Sequence, residues 1–103
     1  MKPFYLDGCW VETTACESVY NPWSGENLAD VCVASAGDVE SAVASSHRAF
    51  QQTRRLSADA RASTLEKIHH LILDRRQEFV DVIVSEAGKP VTFAEAEVVR
   101  AAL

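Results

Sequence analysis

Apolar residues sit in short runs up to Ala34 and then recur every three to four positions from Val39 onward. The chain therefore divides into a strand-forming front and a helix-forming remainder. At the front, Phe4-Tyr5-Leu6 and Cys9-Trp10-Val11 flank Asp7-Gly8, a dipeptide that two-residue hairpin turns favour. Glu12 to Glu17 is polar and reads as a connection. Val19-Tyr20 predicts a short strand that stops at Asn21-Pro22, because the residue before a proline is pushed out of the helical region. Ser24-Gly25 completes that turn, and Leu28 to Ala34 returns as another strand.

From residue 37 the period changes. Val39, Ala42, Val43, Ser46, Ala49 and Phe50 fall on one narrow helical face. Asp38 and Glu40 at the start of that helix and Arg54-Arg55 at its end complement the macrodipole. Ser57 has the hydroxyl of a cap for a second helix, whose apolar face is Ala62, Leu65, Ile68 and Ile72. A pause at Asp74-Arg75-Arg76 separates a third helix carrying Phe79, Val80, Ile83, Val84 and Ala87. A fourth starts at Pro90 with Ala94, Val98, Ala101 and Ala102 on one face, and no stop signal precedes Leu103. The pattern predicts an α+β chain of short antiparallel strands followed by about four α-helices: residues 1–36 strands and turns, 37–103 helical, the end falling inside a helix as in a truncated domain.

Composition narrows the function classes. A net charge of −5 with scattered Lys and Arg argues against nucleic acid, which selects a basic stripe. No apolar run approaches the ~20 residues that span a bilayer, and Met1-Lys2-Pro3-Phe4 is not the start of a signal peptide, so cytoplasmic residence is expected. Cys9, Cys16 and Cys32 are odd in number and lack metal-site spacing; Cys32, in Val31-Cys32-Val33-Ala34, reads as a small buried hydrophobe. His69 and His70 are adjacent and diverge by about 100° on a helix, His47 lies on another, and no ligand set for a metal emerges. Glu95 and Glu97 are two apart, which is the wrong spacing for an acid/base pair on one face. Glycines at positions 8, 25, 37 and 88 form no phosphate-cradling run.

The most informative stretch is Ser85-Glu86-Ala87-Gly88-Lys89-Pro90 with Ala94-Glu95-Ala96-Glu97-Val98. Gly88 suits the left-handed position just past a helix end, and Pro90 suits the first turn of the next, where its missing N–H loses nothing. In its wording this junction resembles the G-K-P…A-x-x-E-V segment near the start of aldehyde dehydrogenases. Tyr5-Leu6-Asp7-Gly8-Cys9-Trp10 resembles that family's opening Y-I-D-G-x-W, and Asn21-Pro22-Trp23-Ser24-Gly25-Glu26 its N-P-x-T-G-E turn. Cys9 in the hairpin and Ser24 for the usual threonine are mild departures.

The resemblance implies an α/β enzyme of which residues 1–103 are the N-terminal fragment. In the whole enzyme a cysteine thiolate would attack the aldehyde, a hydride would pass to NAD or NADP, and water activated by a glutamate would release the acid. Those motifs are absent here, so no catalytic or cofactor-binding residue is expected within this stretch, and no bound NAD or NADP. The implied partners are the remainder of the same subunit, a small aldehyde and further copies in a homo-oligomer. The resemblance also implies that the fourth helix lines the substrate tunnel, with Val98 facing it, and that backbone carbonyls of Val19, Tyr20 and Glu86 hold a structural monovalent cation. The competing expectation is a non-enzymatic helical interaction domain with a β-hairpin prefix.

Overall fold

The structure, a computed structural model, describes residues 1–103. Four short strands precede four helices: β1 (Phe4–Leu6), β2 (Cys9–Val11), β3 (Cys16–Tyr20), β4 (Asn27–Cys32), α1 (Ala36–Thr53), α2 (Ala58–Asp74), α3 (Arg76–Ala87) and α4 (Val91–Ala102). The chain folds as two compact units. One comprises Met1–Val19 and Asn27–Leu56, the other Tyr20–Glu26 and Ser57–Leu103.

In the first unit, β1 and β2 pair antiparallel with Tyr5 opposite Trp10, whose rings meet edge to face at 5.1 Å. The turn between them takes positive φ at both Asp7 (49°) and Gly8 (85°), as a two-residue hairpin demands. β3 and β4 pair as a second ribbon, in which Ser18 Oγ donates to Asp30 Oδ1 at 2.6 Å. Lys2 adds a single parallel bridge to Val31. Thr13 N–H donates to Cys32 Sγ at 3.4 Å, and Cys32 is the buried cysteine. The Asp7 carboxylate accepts hydrogen bonds from the Ser45 hydroxyl and from Arg48 at 3.0 Å, which ties the hairpin turn to α1.

Three boundaries differ from the sequence expectation. The polar run 12–17 is not all connection, because β3 already begins at Cys16. β4 covers Asn27–Cys32 and stops short of Val33. Helix α1 begins at Ala36, because Ser35 and Asp38 form a reciprocal capping box: the Asp38 N–H donates to Ser35 Oγ, and Ser35 N–H donates to the Asp38 carboxylate at 2.8 Å.

The second unit holds the core. Val80, Ala94 and Val98 are buried together, with Ile72, Ile83 and Val84 packed around them, so α2, α3 and α4 converge on one small apolar centre. By contrast, α1 buries nothing: Val39, Val43 and Phe50, the apolar stripe expected from its periodicity, all remain exposed.

Candidate functional site

The α3–α4 junction is assembled from backbone rules. Helix α3 ends on Gly88 in the left-handed conformation (φ 63°), whose N–H donates to Val84 O at 3.1 Å. Pro90 stands one residue before α4 as its cap residue, not inside its first turn, and its carbonyl accepts from the N–H groups of Phe93 and Ala94. The Asn21–Glu26 turn is internally braced: Asn21 Oδ1 accepts from Trp23 N–H at 2.9 Å, and Gly25 N–H donates to Asn21 O at 2.8 Å. Its Pro22 ring lies against Gly88, so close that a Cβ built at position 88 would stand 3.0 Å from Pro22 Cγ. Two stretches far apart in sequence, singled out for separate reasons, thus share one packing site.

Charged groups decorate α4. Lys89 Nζ donates to Glu97 Oε1, and Arg76 pairs with Glu95 at 3.9 Å. That contact from Lys89, helped by the charge of Arg100, holds the Glu97 carboxyl below the usual carboxylate range. Two open grooves flank the helix. One, of about 450 Å³, is lined by Lys89, Pro90, Phe93, Ala96, Glu97 and Arg100. The other, also about 450 Å³, is lined by Ile72, Phe79, Ile83, Glu97, Val98, Arg100 and Ala101.

Val98 therefore has two faces. Its side chain is 3% exposed in the core, and its edge borders the second groove. Of the expected carbonyl donors, Val19 and Tyr20 end β3, and Glu86 lies in the last turn of α3, where helix carbonyls have no intrahelical acceptor role left to fill. Tyr20 and Glu86 belong to the same unit. Ala101 is exposed while Ala102 is buried, which corrects the expected face of α4 to Ala94, Val98 and Ala102.

The remaining chemistry-bearing residues stay apart. His69 Nδ1 engages the Ala102 carbonyl, a structural contact between α2 and the end of α4. Cys9 and Cys16 are exposed, Cys32 is buried, and no three His, Cys, Asp or Glu side chains gather as a metal site. The N-termini of α1 and α2 are capped by the hydroxyls of Ser35 and Ser57, and Asp38 adds negative charge to the first turn of α1. Sequence reasoning missed two features here. Arg100 as a shared groove residue leaves no sequence signature, whereas the Ser35-x-x-Asp38 cap does.

Comparison with known proteins fits this geometry. A family model described as aldehyde dehydrogenase family matches residues 10–103. Malonate-semialdehyde dehydrogenase 2 of Bacillus thuringiensis (strain Al Hakam) is 39% identical over 98 residues, covering 93% of this chain and 20% of that one. The crystal structure of lactaldehyde dehydrogenase from Escherichia coli matches at TM-score 0.93 and 34% identity over 98% of this chain and 22% of its own. PnpE, solved in complex with nicotinamide adenine dinucleotide, matches at TM-score 0.91 and 28% identity over 98% of this chain and 21% of its own. The chain thus spans about a fifth (20%) of the length of the curated relative.

Proposed function

This chain belongs to the aldehyde dehydrogenase family, and on that premise we propose that it is the N-terminal part of an NAD(P)-dependent enzyme that oxidises a small aldehyde to a carboxylic acid or acyl product. The observation that carries the proposal is the match over residues 10–103, which takes in the Asn21-Pro22 turn and the Gly88-Lys89-Pro90 junction that pack on each other. When bound, the nicotinamide cofactor would accept the hydride. The residues of this segment contribute scaffold to that reaction, and no step of it is assigned to them. Val98 is proposed to floor the substrate tunnel along α4. Carbonyls of Val19, Tyr20 and Glu86 are proposed to hold a monovalent cation. Their fitness rests on the chemistry of the donors, since carbonyl oxygen suits such an ion whatever the side chain.

The proposed partners are the rest of the same subunit, an aldehyde, and further copies in a cytoplasmic homo-oligomer. The uncovered stripe of Val39, Val43 and Phe50 on α1 supports packing against more protein. No helix is long and apolar enough to cross a membrane. An interaction domain would account for the amphipathic helices but offers no reason for the family match.

A segment exchange tests the proposal. Residues 1–103 replace the matching fifth of Escherichia coli lactaldehyde dehydrogenase, and NAD reduction is followed with aldehyde added. The expected outcome is a cooperatively melting chimera that oxidises aldehyde, while residues 1–103 alone neither oxidise it nor bind NAD. A folded but inactive chimera, or sub-millimolar NAD binding by the segment alone, would overturn it.

A further inference from the structure

The strands β3 and β4 are joined by the Asn21–Glu26 turn and pair antiparallel, and two contacts fix their register. Val33 N–H donates to Ala15 O at 2.9 Å, and Ser18 Oγ bonds Asp30 Oδ1 at 2.6 Å. Residue 15 thus faces 33 and residue 18 faces 30. Cys16, the first residue of β3, therefore stands directly opposite Cys32, the last of β4. Their site carries no ladder bond between them: Cys32 N–H donates the other way, to Lys2 O at 2.9 Å, just as Asp30 O accepts from Lys2 N–H at 2.7 Å. At such a site the facing side chains share one side of the ribbon, with Cα atoms about 4.5 Å apart. A disulfide spans about 4.4–6.8 Å between Cα atoms. Both thiols are free: Cys16 is exposed, and Cys32 is buried with its Sγ against the Thr13 backbone, a weak partner for sulfur. Cys9 belongs to the other ribbon, on β2 opposite Leu6.

We infer that Cys16 and Cys32 are a redox modification site that closes into a reversible cross-strand disulfide, independent of the reaction proposed above. The oxidant is a small-molecule disulfide of the glutathione type. The exposed Cys16 loses its proton to water, and its thiolate attacks one sulfur of that disulfide. A mixed disulfide forms on Cys16, and one small thiolate leaves. Cys32, deprotonated in turn, attacks Cys16 Sγ and expels the second small thiolate, and the two leaving thiolates take up the two protons. Two protein thiols are oxidised to one disulfide while one small disulfide is reduced to two thiols. The product is a staple that closes the loop of β3, the Asn21–Glu26 turn and β4, and an excess of small thiol reopens it.

The test incubates the native full-length polypeptide that carries this segment with oxidised glutathione, quenches with acid, alkylates the remaining thiols and maps the peptides by mass. The expected product is a Cys16–Cys32 cross-linked peptide, lost on adding reduced glutathione, with Cys9 outside it. In Cys32→Ser the glutathione should stay on Cys16. In Cys16→Ser the buried Cys32 should react at least about tenfold more slowly, because only an accessible thiolate attacks well. Oxidised wild type should exchange its β3 and β4 amides about tenfold or more slowly than reduced, since the staple restrains local opening. Cys16 and Cys32 that both remain open to alkylation would overturn the inference. So would a Cys9–Cys16 link, the pairing that the shorter loop favours in an unfolded chain, or links between chains. Equal reaction of Cys32 with and without Cys16, or amide exchange unchanged by oxidation, would overturn it as well.

Discussion

Replacing Gly88 by alanine adds one carbon at a position that refuses it on two independent grounds. The backbone there is left-handed, φ 63°, which costs an L-residue about 1–2 kcal/mol. The new Cβ would also stand 3.0 Å from Pro22 Cγ, a distance that forces the ring or the helix end to move. Overpacking of this kind costs ~1–3 kcal/mol, while alanine's smaller unfolded-state entropy returns only about 0.4–1 kcal/mol. The net expectation is a loss of about 1–4.5 kcal/mol, concentrated where α3 meets α4. Native-state hydrogen exchange of the α3 and α4 amides in the full-length polypeptide reads that local opening energy. The two causes separate in a double-mutant cycle. In a Pro22→Ala background the steric part should vanish and the backbone part persist, which leaves a coupling of at least ~0.5 kcal/mol. Gly88→Asn keeps the clash and softens the backbone cost, because asparagine tolerates the left-handed region. If Gly88→Ala leaves protection unchanged or raises it, the junction geometry argued here is wrong. Equal losses with and without the Pro22 ring would remove the turn–junction contact from the account.

Two further outcomes follow from the same structure. Ser35→Ala should fray the first turn of α1 by about 1 kcal/mol, the usual worth of an N-cap hydroxyl. The Asp38 carboxyl is held below its ordinary range first by the Ser35 hydroxyl and then by the Ser35 N–H. Its contribution is therefore complete above the unfolded carboxylate range, about pH 4, and is lost as pH falls through the lower folded value. Exchange rates in that turn should make wild type and Asp38→Asn converge at low pH, and a constant difference would count against the capping box. Val98→Ala should weaken the α2–α4 unit by about 2–3 kcal/mol, from the buried methyls lost plus the cavity left behind. On the tunnel proposal it should also shift kcat/KM toward bulkier aldehydes. Destabilisation without that shift would confine Val98 to the core.

Much of the fold was readable in the order of residues because the signals were local. Asp7-Gly8 and Gly88-Lys89-Pro90 each impose their backbone within a few residues, so hairpin and junction stand where the sequence put them. The start of β3 at Cys16 was not readable, because Cys16-Glu17-Ser18 has no apolar alternation and gains its strand character from pairing with β4. Which helical faces are covered was also beyond a periodicity argument. The stripe of α1 is as regular as that of α4, yet Val43 is 66% exposed and Val98 only 3%. The sequence shows that a face is apolar but not which other residues meet it. For the same reason Val98 could be proposed from resemblance, while the position of Arg100 at two grooves needed the coordinates.

The interleaving of the two units has a consequence for how the polypeptide is made. Tyr20–Glu26 belongs to the helical unit but leaves the ribosome well before the helices it joins. At synthesis rates of ~5–20 residues per second, Pro22 waits several seconds for Gly88 to emerge. Throughout that interval the turn has only its internal hydrogen bonds, chiefly those of Asn21 with one from Glu26 N–H to Ser24 Oγ, to hold its shape. A turn that pre-forms locally lowers the entropy still to be lost when the junction arrives, so weakening Asn21 should delay maturation of the nascent chain more than it lowers the stability of the finished one.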